Sequence, residues 1–592
     1  MWLEKSKIMI KIEIFLKQHY LALVFVVVVG LVSILPQFLA IKSIGSDYSG
    51  IHFMYTANED AYMARIQEVI DDHWSVGSAF FYEYKNWKTI MPPTGEYFYA
   101  IPTILLHTSL SNILIATKFL FPAILFGLVY FLVLKLSLNS ALLSAKINAI
   151  VGGLFVTLGY DLIDYKTTWL FLTGQREITG LLLWTRPVNP ITGALLIFIF
   201  LLLLWKIVNS GRRWLVLPTG LVWGLMTGYF FSWSLSLAIV AVLSTIFILR
   251  KKYGVVKNLL LVCLVFFLTS LPYWLNIFSS LGSVEGREHA TRSGMLFTHA
   301  PIINKVILII TMIFLLVSAL EYFYTKKLKK ENWWWFCLAL ISAGWLAYNQ
   351  QIITGRTVWY YHFVQYTIPL AIVVGMVLLD HYIKPKLFKI WLTGLCVIVF
   401  TITIFNVVAI KSYAADYESF KELQKYSAPF SWLNKNTAND CVVLTPAVDT
   451  GLDLLIPALT HCNVYATSWI FDGVPTDRVW HNFLVLLRMK NIDPSYVKEY
   501  LENNESTVRG QFFTDWGQLF NQRPSPYIQE KIDELSTAYR DFVKKDFVSE
   551  LRRYKLDYLL FVGAPSTSTL KLLPGVKPVY NDANFYIYRF FY

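Results

Sequence analysis

Two adjacent carboxylates, Glu59 and Asp60, stand in the segment Asn58-Glu59-Asp60-Ala61-Tyr62, soon after the first long apolar run of the chain. A second acidic pair, Asp161 and Asp164, follows a later apolar run. A carboxylate within hydrogen-bond reach of a hydroxyl can take its proton. Cations recur in the same non-apolar stretches: Arg186 in Trp184-Thr185-Arg186-Pro187, Arg287 and Arg292, and Arg356 in Thr354-Gly355-Arg356, with Lys118 and Lys305 in or beside apolar runs. Such groups stabilise negative charge developing on a phosphate leaving group. Tyr62, His289, Tyr361 and His362 offer ring faces and hydrogen bonds to a sugar or an acceptor. The combination suits transfer of a sugar from a lipid phosphate to a hydroxyl. Each piece also has a plainer reading. Acids are common at a helix start, a lysine near a membrane edge snorkels, and His362 beside two tyrosines fits an interfacial belt.

These residues have to be positioned by a membrane protein. The chain has 592 residues, 56% hydrophobic and only 15% charged, where a soluble domain carries about 25% charged residues. Eleven apolar segments are long enough, or nearly so, to cross about 30 Å of hydrocarbon. They centre near 20–40, 115–137, 142–160, 191–208, 214–231, 232–250, 257–277, 301–323, 333–349, 363–383 and 389–410. The two around Gly228–Trp233 require a tight hairpin. Basic residues crowd alternate loops, 20 in one set against 12 in the other. That bias places the amino terminus in the cytoplasm. An odd number of spans then places the carboxy-terminal part outside, together with the long first outer loop, 41–96. The first apolar run lacks a convincing cleavage site and reads as a retained span.

The net charge of +13 does not point to nucleic acid. Residues 1–410 hold 32 Lys+Arg and 18 Asp+Glu, and residues 411–592 hold 20 and 21. The whole excess lies in the apolar part, where it reports orientation. No ionisable group sits at mid-depth in a span, as an ion-coupled transporter would need. No phosphate-binding glycine loop of the P-loop type appears. No His or Cys cluster has zinc spacing. No cofactor is assigned, and a divalent metal is left open. Cys441 and Cys462 open two short β-like runs, so they are either disulfide partners or two buried thiols.

At this point the layout resembles the GT-C membrane glycosyltransferases, which include protein O-mannosyltransferases and aminoarabinose transferases. Members carry an acidic pair in a long first outer loop, and Glu59-Asp60 occupies that place. The order is Glu-Asp here, where many members have Asp-Glu or Asp-Asp. Asp60 is the favoured base, with Glu59 second. Asp161 or Asp164 matches the second-loop acid frequent in the family. The stretch from Asn349 through Arg356 to His362 is similar to a late outer segment of prokaryotic members. The resemblance implies a polyprenyl-phosphate sugar as donor, an inverting transfer, and the inner membrane of a prokaryote. The acceptor, whether protein, lipid or glycan, is not indicated.

Residues 411–592 read as a separate α/β domain outside the membrane. Cys441–Thr445, Asn463–Ala466, Tyr558–Val562 and Phe585–Tyr588 read as strands. Asp493–Asn503 and Gln529–Leu551 read as helices. The expected fold is therefore an α-helical polytopic membrane domain, 1–410, followed by an extracytoplasmic α/β domain. The competing functions are a transporter or lipid flippase, and a noncatalytic scaffold. The first predicts a polar path and repeat symmetry that the sequence lacks. The second has no use for paired acids in a long loop.

Overall fold

The computed structural model describes residues 2–87, 89, 91–137, 142–175, 181–283, 295–325, 331–383, 387–468, 473–512, 527–582 and 584–591. All eleven apolar segments are helical. They correspond to α1 (Trp2–Ile44), α4 (Leu110–Leu136), α5 (Leu142–Thr157), α7 (Ile191–Ser210), α8 (Val216–Leu225), α9 (Phe230–Leu249), the pair α10 (Tyr253–Thr269) and α11 (Leu271–Leu281), α12 (Lys305–Thr325), α13 (Asn332–Asn349), α14 (Val364–Tyr382) and α15 (Phe388–Ser412). Three further short helices are α2 (Glu59–Ile70) and α3 (Tyr97–Leu106), between α1 and α4, and α6 (Tyr165–Leu172), between α5 and α7. In hydrocarbon a backbone must satisfy its own polar groups, which forces apolar runs into helices.

Among the described residues, eight helices are long and apolar enough to cross a membrane. Helices α10 and α11 make a ninth if taken as one span, bent by 64° at their junction. The expected count of eleven is not reached by length alone. Helix α5 has 16 residues, about 24 Å at the helical rise. Helix α8 has 10 residues and is closed at each end by a 3-10 turn. The expected hairpin is present: α8 turns through Met226–Gly228 into α9. A Cβ at Gly228 would collide with Thr94 Oγ1 and stand 2.8 Å from Pro92 O, so glycine lets the Pro92–Thr94 turn press onto the hairpin.

Helix α4 is central, packing on α1, α5 and α7, while α14 packs on α5 and α12. It starts at Ser109, whose side chain accepts from the Asn112 amide. Helix α2 follows Asn58, which takes the left-handed conformation at φ 58°, one that asparagine tolerates better than most residues. Seven of its twelve residues are buried, Glu59 and Glu68 among them. It is enclosed, not laid on a surface.

The carboxy-terminal part holds a five-stranded sheet of order β4-β3-β5-β7-β6. Its strands are β3 (Val442–Leu444), β4 (Asn463–Val464), β5 (Tyr558–Val562), β6 (Lys577–Asn581) and β7 (Phe585–Arg589). β4, β3 and β5 run parallel, and β7 and β6 are antiparallel. The four strands read from the sequence are β4, β3, β5 and β7. The fifth, β6, is an exposed edge strand containing Pro578, which hides its strand signal. A two-stranded ribbon, β1 (Met295–Phe297) with β2 (Arg356–Val358), lies outside this sheet. The expected helix Gln529–Leu551 is two helices, Tyr527–Val543 and Phe547–Leu551. Asp546 caps the second by accepting from the Ser549 amide at 2.8 Å. The division at 410 falls inside α15, which continues to Ser412. Cys441 and Cys462 are joined in a disulfide.

Candidate functional site

The two acids at the start of α2 have opposite surroundings. Glu59 is 1% exposed. Its Oε1 accepts from the Thr56 amide at 2.8 Å and the Thr56 hydroxyl at 2.6 Å. Lys118 Nζ, from α4, donates to both carboxylate oxygens at 3.0 and 2.9 Å, and His52 Nε2 stands 3.3 Å from Oε2. Lys118 also donates to Phe53 O at 3.0 Å and lies 3.8 Å from the centre of the Tyr55 ring. Burial by itself would raise the Glu59 carboxyl. The Lys118 charge and the hydrogen bonds from His52 and Thr56 outweigh it and hold the carboxyl at about 2. Glu59 and Lys118 thus form a buried, saturated ion pair that ties the loop to α4.

Asp60 turns the other way. It is half-buried and accepts from the Ala61 amide at 2.8 Å. No cation pairs with it among the described residues. Burial raises its carboxyl above the usual aspartate range, and the neighbouring Glu59 charge adds to the rise. Two residues on, Tyr62 meets Arg186: the guanidinium lies 5.1 Å from the ring centre, with Nη2 3.5 Å from the hydroxyl. Among the described residues no carboxylate reaches Arg186, and its buried Nε has no partner. Tyr229, Tyr361, His362 and Tyr366 lie within electrostatic reach of the Arg186 charge. The structure therefore gathers Tyr62, Arg186, Tyr361 and His362, four residues singled out from sequence, and Asp60 stands two residues before Tyr62 on α2. It adds Tyr229 and Tyr366, which the sequence gave no reason to choose beyond the tight hairpin at Gly228.

The remaining sequence candidates lie as follows. Lys118 is committed to Glu59. Asp161 lies in a 3-10 turn, Tyr160–Ile163, with the exposed Asp164 after it. Lys305 is exposed at the first residue of α12, and Arg356 is exposed on β2. Arg287, His289 and Arg292 fall outside the described residues.

The far end of α2 is clamped to the carboxy-terminal domain. Helix α2 packs on the helix Leu452–Leu459. Glu68 accepts from Asn463 Nδ2 at 2.8 Å and pairs with Lys85 at 3.2 Å. Lys85 also pairs with Asp440, which His73 approaches at 3.2 Å. Burial lifts the Glu68 carboxyl to about 8 and that of Asp71 to about 7. Nearby, the fully buried Arg478 donates to Glu83 at 2.6 Å and to Tyr465 O at 2.6 Å. Its guanidinium lies 4.2 Å from the Phe81 ring centre and 4.3 Å from that of Tyr554. Sequence reasoning missed this network, because its members are separated by as many as 395 residues.

Among the described residues, one group of three metal-type ligands stands close together, Cys441, His461 and Cys462. The disulfide leaves its two sulfurs without the thiolate a metal takes up. The donor set as it stands does not fit a metal.

No family model matches the sequence, and no curated protein does. The chain is similar to several solved structures over most of its length. One is the archaeal oligosaccharyltransferase AglB from Archaeoglobus fulgidus in complex with an inhibitory peptide and a dolichol-phosphate, at 12% identity and TM-score 0.42, covering 92% of this chain and 70% of that one. Another is ArnT from Cupriavidus metallidurans bound to undecaprenyl phosphate, at 10% identity and TM-score 0.46, covering 97% and 98%. ArnT in the apo state matches at 12% identity and TM-score 0.41, covering 90% and 93%.

Proposed function

We propose that the chain is a multi-pass membrane glycosyltransferase that moves a sugar from a polyprenyl-phosphate carrier to an acceptor hydroxyl. In this reading eleven spans place the amino terminus in the cytoplasm. Residues 411–592 and the 41–96 loop then lie on the extracytoplasmic face of a prokaryotic inner membrane. The observation that carries the proposal is the contrast between two committed and two uncommitted charges. Glu59 and Lys118 neutralise each other in the interior, whereas Asp60 and Arg186 are each left without a charged partner among the described residues. A half-buried guanidinium without a carboxylate is a site for an anion that arrives with the ligand.

The chemistry follows from those two groups. The acceptor hydroxyl attacks the anomeric carbon from the face opposite the phosphate, and the configuration inverts. Asp60 takes the hydroxyl proton; its raised carboxyl brings its basicity closer to neutral pH. The bond between the anomeric carbon and the phosphate oxygen breaks with its electron pair on that oxygen, where Arg186 offsets the charge. Tyr62 and Tyr361 present ring faces to the sugar. Glu59 is a structural partner of Lys118 in this scheme, not the base.

The test is turnover by the purified full chain on a panel of undecaprenyl-phosphate sugars, wild type beside Asp60→Asn. The expected result is turnover that falls by about 10²-fold or more in Asp60→Asn with an unchanged melting temperature. Equal rates would remove Asp60 as the base.

A further inference from the structure

Tyr229 opens helix α9 at the hairpin and has no part in the scheme above. Its hydroxyl lies 2.5 Å from His362 Nδ1 and 3.5 Å from Gln365 Oε1. These two distances decide where the imidazole proton sits. If Nδ1 carried it, the tyrosine hydroxyl would have only the Gln365 oxygen to donate to, at the outer limit of a hydrogen bond. If the hydroxyl donates to Nδ1, the short bond is made in full and a neutral imidazole carries its proton on Nε2.

The ring is held in one orientation. Phe231 stacks on it at 5.0 Å and 22°, and Trp359 at 5.3 Å and 27°. Trp359 takes a left-handed backbone, φ 32°, which bulky residues rarely adopt. His362 Nε2 has no partner among the described residues. One turn later on α14, Tyr366 donates its hydroxyl to Pro190 O at 3.2 Å. That contact seats this face of α14 against the segment that carries Arg186. The His362 ring therefore lies within electrostatic reach of the Arg186 guanidinium, whose Nε has no partner among the described residues.

We infer that Tyr229 is a positioning residue which fixes the His362 tautomer, so that Nε2–H donates to a phosphoryl oxygen of the ligand held by Arg186. The inference rests on the proposed function and deepens it: His362 binds the phosphate, not the sugar. A neutral donor suits the place, because a second buried cation beside Arg186 would have to be desolvated against like charge. The chemistry recognised is a phosphate monoester or diester, which a lipid carrier or free phosphate would both present.

The experiment measures equilibrium binding of undecaprenyl phosphate to the full-length protein in detergent micelles, with inorganic phosphate as a second probe. His362→Gln places an amide N–H near Nε2, and His362→Asn places one near Nδ1. The expected order is near-wild-type binding for His362→Gln, a loss of about tenfold or more for His362→Asn, and a loss of about three- to tenfold for Tyr229→Phe. Adding Tyr229→Phe to His362→Gln should cost nothing further, because no tautomer is left to fix. A merely packing role would weaken Gln and Asn variants alike, and that result, or wild-type binding in Tyr229→Phe, overturns the inference. Undecaprenyl phosphate binding lost in Arg186→Gln but indifferent at both 229 and 362 would keep the proposed function and remove the pair. Binding of inorganic phosphate alone, with the same variant order, would keep the pair and remove the lipid carrier. Binding of neither probe by the wild type overturns both.

Discussion

The Glu59–Lys118 pair gives the sharpest prediction, because both side chains are fully buried and their partners are known. Lys118→Met keeps the length of the side chain and removes three hydrogen bonds, to Glu59 Oε1, Glu59 Oε2 and Phe53 O. Glu59 keeps Thr56 and His52 but loses its compensating charge. Breaking a buried pair from one side typically costs about 3–5 kcal/mol, and no solvent is present here to screen the loss. The carboxyl, now held at about 2, should rise toward neutral pH as burial takes over. The loss falls first on the anchoring of residues 52–70. Amide exchange across α2 should then quicken by about two to three and a half powers of ten, unless global opening intervenes first. Hydrogen exchange on the detergent-solubilised chain reads this directly. The double variant Glu59→Gln with Lys118→Met removes both charges and should recover most of the protection. If Lys118 instead held the donor phosphate, Lys118→Met would leave α2 protected and lose only ligand binding. Unchanged exchange in Lys118→Met would refute the buried-anchor argument.

The clamp at the other end of α2 has a pH signature. Glu68 titrates near 8 in the fold against an ordinary value of 4.5, and Asp71 near 7 against 3.8. The folded state therefore holds protons that the unfolded state has lost, and stability falls as pH rises from about 5 through 8. The melting temperature should drop between pH 6 and 9, and Glu68→Gln should flatten the drop; a wild-type profile rising over that range would exclude this sign. Glu59 behaves oppositely: its contribution is present above pH 4.5 and fades as pH falls toward 2, visible as late acid exposure of the loop to protease. Arg478→Met leaves Glu83 without its partner and removes the cation between Phe81 and Tyr554. It should loosen the loop from the carboxy-terminal domain by about 3 kcal/mol, read as new proteolytic cleavage within residues 71–87. Alkylation of the denatured, unreduced chain should label three of the five cysteines, and reduction should add Cys441 and Cys462.

The sequence alone determined the elements. Apolar runs of this length became helices because a helix satisfies every backbone polar group within the one segment. The change in composition after residue 410 marked a domain of different construction, and four of its five strands followed from β-branched and aromatic runs. The acidic pair, Tyr62, Arg186, Tyr361 and His362 could be chosen as chemically capable. What the sequence does not contain is who pairs with whom. Glu59 and Asp60 are neighbours of the same chemical kind. Only packing shows that one meets a lysine 59 residues away on α4 while the other has no cation paired with it among the described residues. Lys118 looked like a phosphate ligand until its partner was in view. Tyr229 gained a role only through a histidine 133 residues later, and the loop found its hold in Arg478 and Asn463, 395 residues beyond. Hydrophobic period reports which face of an element is buried. The state of a charge depends on the groups that the tertiary fold brings within a few ångströms of it, and distance along the chain carries no information about that.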